Sequence, residues 1–242
     1  MDISLIIPAF NEGENVFLLA SQIEKIKNQN DQYEIVFVDD GSTDDTLTQM
    51  LKAKKDLDLD ITVIQSANRN GQSVAILIGV KESKYDWILT LDADLQNSPE
   101  NFFILVNQIR ENPDQYKSTM VSGLRQKRRD SLIKVISSKT ANFIRQLILD
   151  DHCTDTGCAL KLFHRSFFLG LPQFKNMHRF LPALFQMYGG NCIFVPVTHQ
   201  PRTMGKSKYG TWDRLIAGIW DLFGVFWIKH RKIVQLTYTR KE

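Results

Sequence analysis

Asp92 and Asp94 stand one residue apart, with Gln96 two further on, directly after the apolar run Trp87-Ile88-Leu89-Thr90-Leu91. In an extended chain, positions i, i+2 and i+4 share a face, so these oxygen-bearing side chains can meet at one point beyond a strand end. Hard oxygen donors of this kind suit Mg²⁺ or Mn²⁺, which bind through few protein groups and hold substrate phosphates. The spacing therefore points to chemistry on a diphosphate-bearing substrate. A calcium loop does not fit, because Asn97 occupies position 6 where glycine is needed and Phe103 position 12 where glutamate is needed. A plain acidic turn after a buried strand would show the same short pattern, so the rest of the chain must decide.

The elements that would position these residues can be read from periodicity. Short apolar runs at 3–8, 34–39, 61–65, 87–92 and 119–123 alternate with helical patterns near 13–27, 43–55, 71–82 and 99–110. That alternation predicts an α/β fold, Rossmann-like, with a mostly parallel sheet flanked by helices. Ser42-x-x-Asp45 resembles a capping box for the second helix, and Ser98-Pro99-Glu100 places proline at the start of the fourth. Ligands of such sheets lie beyond the carboxyl ends of the strands. Asn11-Glu12, Asp39-Asp40-Gly41-Ser42 and Asp92/Asp94 all fall at those ends. The first turn, Pro8-Ala9-Phe10-Asn11-Glu12-Gly13, has no Gly-x-Gly-x-x-Gly loop, and no Walker lysine loop occurs. Metal and basic side chains, not a glycine cradle, would then hold phosphate, while Asp39 or Asp40 sits where an acid can accept hydrogen bonds from a ribose or a base.

The 242 residues suffice for one large domain, or one with an extension, and the net charge of +3 conceals an asymmetry. Residues 1–120 carry 10 Lys/Arg against 20 Asp/Glu, residues 121–242 carry 20 against 7. An acidic half joined to a basic half suits a polyanionic partner. Nucleic acid is disfavoured, since no aromatic platform alternates with the basic residues and no recognition-helix motif occurs. Cys153, Cys158 and Cys192 are too few for a disulfide framework and point to a reducing compartment. With His152 and His164 they invite a zinc reading, but there is no Cys-x-x-Cys pair, and buried thiols are the better account. The run from Ile3 reads as a strand and not as a signal peptide, and no apolar stretch approaches the roughly 20 residues of a spanning helix.

Beyond residue 125 lie the basic stretch Arg125, Lys127, Arg128 and Arg129, an amphipathic pattern near 131–149, and a strand near 192–197. The flexible basic segment Arg202–Gly210 follows. From Trp212 to Ile228 apolar and aromatic residues dominate, and Lys229-His230-Arg231-Lys232 come directly after. That is the composition of a helix lying in a membrane interface, although a helix packed on the sheet would also account for it.

With these residues in place, the chain resembles the family 2 glycosyltransferases of A-type fold. Within them it looks most like the dolichyl-phosphate mannose synthases and bacterial polyprenyl-phosphate sugar transferases. The carrying motifs are Ile7-Pro8-Ala9-Phe10-Asn11-Glu12, Val38-Asp39-Asp40-Gly41-Ser42-Thr43-Asp44, Leu91-Asp92-Ala93-Asp94-Leu95-Gln96, Ser122-Gly123-Leu124-Arg125, Asp155-Thr156-Gly157-Cys158 and the Arg202–Lys208 loop. The resemblance implies a catalytic domain over 1–210, with a nucleotide-sugar-binding half at 1–124 and an acceptor-binding half at 125–210, and an amphipathic extension over 211–242. It implies nucleotide-sugar contacts from Pro8, Ala9, Asn11, Glu12, Asp39, Asp40 and Asp92, and a Mg²⁺ or Mn²⁺ ion on Asp92, Asp94 and Gln96. Arg125, Arg129, Lys134 and Ser207 would meet the acceptor phosphate, while Asp94, Arg125, Arg202 and Lys208 would form the catalytic set.

The reaction implied is metal-dependent, inverting transfer of a sugar from a UDP- or GDP-sugar to a polyprenyl phosphate such as undecaprenyl phosphate. The enzyme would lie peripherally on the cytoplasmic face of a membrane, with room for a homo-oligomer. An ionised acceptor phosphate needs a positive cradle more than a base. A sugar-hydroxyl acceptor, as in a soluble family 2 enzyme building a surface polysaccharide, would require a carboxylate base, for which Asp155 is the candidate. Two features depart from the pattern: Phe10 replaces a common tyrosine, and where many relatives carry C-terminal transmembrane helices this sequence has only the 212–228 segment.

Overall fold

The computed structural model describes residues 1–27, 31–125, 145–151, 153, 155–200 and 211–232, with side chains left aside for 211–217. Seven strands form one sheet: β1 (Ile3–Ala9), β2 (Tyr33–Asp39), β3 (Asp60–Gln65), β4 (Trp87–Thr90), β5 (Thr119–Arg125), β6 (Lys161–His164) and β7 (Asn191–Val197). Their spatial order is β3-β2-β1-β4-β6-β5-β7. The pairings β1–β2, β1–β4, β2–β3 and β5–β7 are parallel, and β6 runs antiparallel to both its neighbours. The helices are α1 (Gly13–Ile26), α2 (Thr46–Asp56), α3 (Gln72–Glu82), α4 (Asn101–Asn107), α5 (Arg165–Leu169), α6 (Leu181–Met187) and α7 (Thr211–Arg231).

Continuous apolar runs such as Ile3-Ser4-Leu5-Ile6-Ile7 are what a sheet covered on both faces demands. Ile3, Leu5 and Ile7 face one core with Ile35 and Phe37, against Val16, Leu19 and Ile23 of α1 and Phe102 and Leu105 of α4. Ile6, Val36 and Val38 face the other, against Ala75, Ile76 and Val80 of α3 and Leu184 and Phe185 of α6. Gly79 lets α3 come close, since a Cβ there would lie 2.4 Å from Ile6 Cγ2. The chain builds outward from β1 to β3 and then returns to place β4 on the other side of β1. That reversal opens a crevice at the carboxyl ends of β1 and β4.

All five expected strands of the first half are present, with edges moved by one or two residues. Both anticipated helix starts move inward. Ser42 does not cap α2: its Oγ accepts from the Asn11 N–H at 2.9 Å, while Asp44 Oδ1 takes the Thr46 N–H at 3.0 Å. The fourth helix begins at Asn101, where its N–H meets the Ser98 carbonyl, and ends at Asn107. The short strand β6 and the helices α5 and α6 are additions that the sequence pattern did not single out. Of the pattern near 131–149, only 145–149 falls within the described residues, and it is helical.

At the end of the sheet remote from the crevice, Asp31 is sealed against Arg110, whose Nη1 and Nη2 donate to its two carboxylate oxygens at 2.9 and 2.7 Å. The Met1 ammonium and the Tyr33 hydroxyl also donate to it. Burial alone would raise this carboxyl, but the donors outweigh it and hold it at about 2. Because the folded value lies below the unfolded one, the stabilisation is complete above about pH 4 and disappears as pH falls toward 2. Asp31→Asn is therefore expected to cost about 1–2 kcal/mol in urea unfolding at pH 7, with the difference from wild type shrinking below pH 4. A difference that persists unchanged at pH 2.5 would remove the ion pair as its cause.

Candidate active site

The crevice is a cleft of about 670 Å³, and its walls come from four strand ends. Pro8 and Ala9 end β1, and Phe10 and Glu12 begin the loop beyond it. Asp40 follows β2, Arg69 and Gln72 follow β3, and Asp92, Asp94 and Gln96 follow β4. Arg125, Thr156, Gly157, Cys158 and Lys161 close the side toward β5 and β6, with His178 and Arg179 from a one-turn 3₁₀ helix, Met177–Arg179.

The acidic turn after β4 is shaped by Leu95, whose φ of 59° is the left-handed conformation that apolar residues avoid. That turn brings the Gln96 N–H to Asp94 Oδ1 at 3.1 Å. It is also stapled to the segment after β7. The Gln200 N–H donates to the Gln96 carbonyl at 2.8 Å, and Asn97 bridges to His199. The Gln72 amide donates to Asp92 Oδ1 at 2.7 Å, fixing the rotamer of that carboxylate from the start of α3. Burial first, and the neighbouring Asp94 charge second, push the Asp92 carboxyl well above the usual carboxylate range, against the pull of Lys161 and Arg125. Two crowded carboxylates in a partly dry cleft form a donor set that fits a hard divalent cation. Among the described residues no three His, Cys, Asp or Glu side chains gather as a metal cage. An ion held here by Asp92, Asp94 and Gln96 would take further ligands from substrate and water.

Arg125 is held by a two-pronged ion pair: its Nε and Nη2 donate to Asp155 at 2.8 and 2.6 Å, and its backbone N–H adds a third bond at 3.1 Å. Both carboxylate oxygens of Asp155 are thus engaged. The buried Lys161 ammonium donates to the Cys158 carbonyl, and burial holds its pKa below the ordinary lysine value. At the other end of the cleft Arg69 lies over the Phe10 ring, 4.1 Å from its centroid.

Of the residues expected to bind a nucleotide sugar, Pro8, Ala9, Glu12, Asp40 and Asp92 line the cleft. Asn11 and Asp39 stand behind its wall. Asn11, with φ 52°, accepts from the Thr43 N–H at 2.8 Å and so sews the loop after β1 to the loop after β2. Asp39 is fully buried, with Oδ1 on the Ser42 N–H at 3.0 Å and, among the described residues, no hydrogen-bond partner for Oδ2. Asp40 accepts from the Asn70 and Gly71 N–H groups at 2.7 and 2.8 Å, clamping the loop that leads into α3. Arg129, Lys134, Arg202, Ser207 and Lys208 lie outside the described residues. Cys158 reaches the cleft wall, Cys153 is buried behind it, and His164 sits at the far end of β6 with its Nδ1 on Ser166 Oγ. Sequence reasoning missed Arg69, Gln72, Lys161, His178 and Arg179. The visible signals were a polar loop, Asn68-Arg69-Asn70-Gly71-Gln72, at yet another strand end, and a lysine inside the apolar run Ala159–Phe163.

Residues 4–170 match the model of the family described as Glycosyl transferase family 2. An undecaprenyl-phosphate 4-deoxy-4-formamido-L-arabinose transferase of Salmonella choleraesuis (strain SC-B67) is 33% identical over 221 residues, covering 91% of this chain and 66% of its own length. The protein of the same name from Salmonella paratyphi B (strain ATCC BAA-1250 / SPB7) aligns with the same identity and coverage. The chain thus spans just under two thirds of the length of these curated relatives. Among solved structures, glucosyl-3-phosphoglycerate synthase of Mycobacterium tuberculosis, in complex with Mn²⁺, UDP and glucosyl-3-phosphoglycerate, matches with a TM-score of 0.68 at 14% identity, over 97% of this chain and 81% of that one. Its complex with Mg²⁺ and UDP gives 0.67 at 16%, over 92% and 79%. At these identities the likeness is one of fold.

The loop carrying Arg69 rests on Gly41. At φ +72°, a Cβ on Gly41 would stand 2.8 Å from the Asn68 carbonyl carbon and 2.9 Å from the Arg69 nitrogen. Gly41→Ala is expected to cost about 2 kcal/mol through strain and displacement of the 68–71 segment, lowering Tm by roughly 4–8 °C. An unchanged Tm would mean that the loop yields without cost.

Proposed function

Because the chain belongs to glycosyl transferase family 2, we propose that it transfers a sugar from a nucleoside-diphosphate sugar to a polyprenyl phosphate such as undecaprenyl phosphate. The observation that carries this reading is the pairing of Asp92 and Asp94 on the floor of a cleft whose side wall bears Arg125, held in place by Asp155. The relatives named above as undecaprenyl-phosphate transferases support the acceptor, and the neighbours solved with UDP and Mn²⁺ or Mg²⁺ support the donor and the ion.

In this reading the nucleoside occupies the end of the cleft lined by Phe10, Arg69, Glu12 and Asp40, with the Phe10–Arg69 pair as a flat wall. Asp39 acts from behind that wall, its Oδ1 accepting from the Ser42 N–H and so holding the loop that the nucleoside meets. Asp92, Asp94 and Gln96 would hold Mg²⁺ or Mn²⁺, which supplies charge neutralisation to the departing diphosphate. Arg125 aligns the acceptor, joined by Arg129, Lys134, Arg202, Ser207 and Lys208 from segments outside the described residues. An acceptor phosphate oxygen forms the bond to the anomeric carbon as the bond to the diphosphate breaks on the opposite face, inverting configuration. With a second pKa of about 6, the phosphate arrives largely ionised. No base is then required, which matches an Asp155 whose two oxygens are occupied by Arg125. Residues 1–124 hold the nucleotide and the ion, and 125–210 hold the acceptor.

Helix α7 adds a membrane contact to the proposal. No helix among the described residues is long and apolar enough to cross a membrane. Leu222 and Val225 pack α7 onto the domain, and the Lys229 ammonium bonds to the Leu149 carbonyl at 3.0 Å. The opposite face leaves Ile219, Phe223 and Phe226 exposed, with Trp220 and Trp227 at 73% and 65%. A Trp/Phe face beside Lys229, Arg231 and Lys232 suits the interface of an anionic bilayer, with the enzyme seated on the cytoplasmic side.

The first test supplies Mg²⁺ or Mn²⁺, undecaprenyl phosphate and a panel of UDP- and GDP-sugars, and measures released nucleoside diphosphate. Release that needs both ion and lipid phosphate is expected, and Asp94→Asn should lower it by roughly 10²–10³-fold or more. Release indifferent to the lipid would favour a hydroxyl acceptor, and a fully active Asp94→Asn would remove the ion from these carboxylates. In sedimentation with phosphatidylglycerol-containing vesicles, the double substitution Trp220→Ser with Trp227→Ser should weaken binding about tenfold or more at unchanged Tm. Equal sedimentation of variant and wild type would move the membrane contact elsewhere.

A further inference from the structure

Past Asp92 the wall of the cleft runs over Gln72, Lys161 and His178, which also edge a recess of about 10 Å³, room for a single water. Phe10, Arg69 and Asp40, which mark the nucleoside end, take no part in it. What lies past the diphosphate in a sugar nucleotide is the sugar.

His178 is the one group there whose protonation and tautomer the surroundings settle. Its backbone N–H donates to Ser73 Oγ at 3.1 Å, and the same hydroxyl lies 2.8 Å from His178 Nδ1. Among the described residues, Nδ1 is the one acceptor within reach of the hydroxyl proton, so the serine donates to Nδ1 and the ring proton belongs on Nε2. Burial, with the charges of Arg179 and Lys161 behind it, depresses the imidazole to about 3, which keeps the ring neutral. The turn that carries it starts from Asn176 at φ 65° and is closed by a Met177 carbonyl to Phe180 N–H bond of 2.8 Å. Ser73 is itself fixed in the first turn of α3. The ring is thus clamped at Nδ1, and Nε2–H is the edge left for a ligand, with no protein acceptor meeting it among the described residues.

We propose that His178 is a recognition residue for the transferred sugar, its Nε2–H donating to an oxygen substituent of the donor's sugar ring. A neutral donor of fixed direction reads a hydroxyl or carbonyl oxygen without adding charge to a site already holding Lys161 and Arg179. The inference rests on the donor reading above and extends it to the part of the donor that determines specificity.

The test measures calorimetric binding of UDP-glucose, UDP-N-acetylglucosamine and GDP-mannose, each beside its bare nucleotide, in the presence of Mn²⁺ and without lipid. His178→Leu should weaken the best sugar nucleotide about tenfold, as expected for one neutral hydrogen bond, and leave UDP or GDP within about twofold. His178→Gln, whose amide nitrogen can reach the Nε2 position, should recover most of that loss. Equal binding by wild type and His178→Leu, or an equal loss for the bare nucleotide, would overturn the assignment. Should the leucine variant fail to fold, a crystal structure of the wild type with its best donor decides. A sugar oxygen within hydrogen-bond distance of Nε2 upholds the proposal, and a sugar seated elsewhere overturns it. Donor binding through His178 without transfer to lipid would leave this inference standing and sink the proposed reaction. No binding of any panel member would sink both.

Discussion

Two carboxylates forced together at the edge of water are the constraint around which this molecule is arranged. Asp92 and Asp94 gain nothing from each other, and the burial of Asp92 raises the cost of its charge. The surroundings answer with graded compensation. Gln72 gives Asp92 a hydrogen bond, Arg125 stands at the side wall, and Lys161 is buried nearby with its ammonium on the Cys158 carbonyl. Lys161 is itself disfavoured by burial, so each sign of charge is tolerated because the other is close. Such a field is balanced for a ligand that brings both a cation and phosphates, and it is unbalanced for either alone.

The walls of the cleft come in two tiers. The inner tier faces the ligand space: Phe10, Asp40, Arg69, Asp92 and Asp94. The outer tier, mostly behind it, fixes its shape. Asn11 bonds to Thr43, Ser42 to Asn11 and Asp39, and Asp40 clamps the loop entering α3. Loops at the ends of parallel strands have no partner strand to hold them, so side-chain bonds between loops must do that work. Asp40 belongs to both tiers, because a carboxylate oxygen that accepts one backbone N–H keeps a lone pair for a second donor.

Much of this architecture was legible in the sequence because it follows from local periodicity. The first four strands are apolar runs closed by polar clusters, and a strand's end is where its apolar run stops. The Asp-x-Asp turn announced itself for the same reason. What stayed hidden has a physical cause as well. Strand β6 has four residues and depends on its pairing with β4 and β5, so no pattern of its own distinguishes it from a turn. Ser42 and Asp45 look like a capping box in one dimension, but Asn11 competes for Ser42 from 31 residues away. Arg69, Lys161 and His178 reach the cleft through topology, since β3, β6 and the segment before α6 converge on one end of the sheet only once it is folded. Asp155 was weighed as a base, and only its distance to Arg125 shows it committed elsewhere.

That commitment bears on the choice of acceptor more than any count of basic residues. A sugar hydroxyl must lose its proton during transfer, and Asp155, the carboxylate weighed for that task, would first have to leave a two-pronged guanidinium contact. An acceptor already ionised in solution avoids that conflict, and an arginine with a fixed orientation is then an asset. If the ionised group is a phosphate on a polyprenyl chain, its tail holds it at a bilayer surface, and the protein has to work there. Helix α7 is consistent with such a post. It is moored to the domain through Leu222, Val225 and Lys229, which leaves Trp220, Phe223 and Trp227 on the outer face with nothing from the described domain packed over them. A helix needed only to complete the core would bury those rings, because each offers a large apolar area that water disfavours. The proposed phosphate acceptor and the outward aromatic face therefore support each other from independent observations, one electrostatic and one hydrophobic.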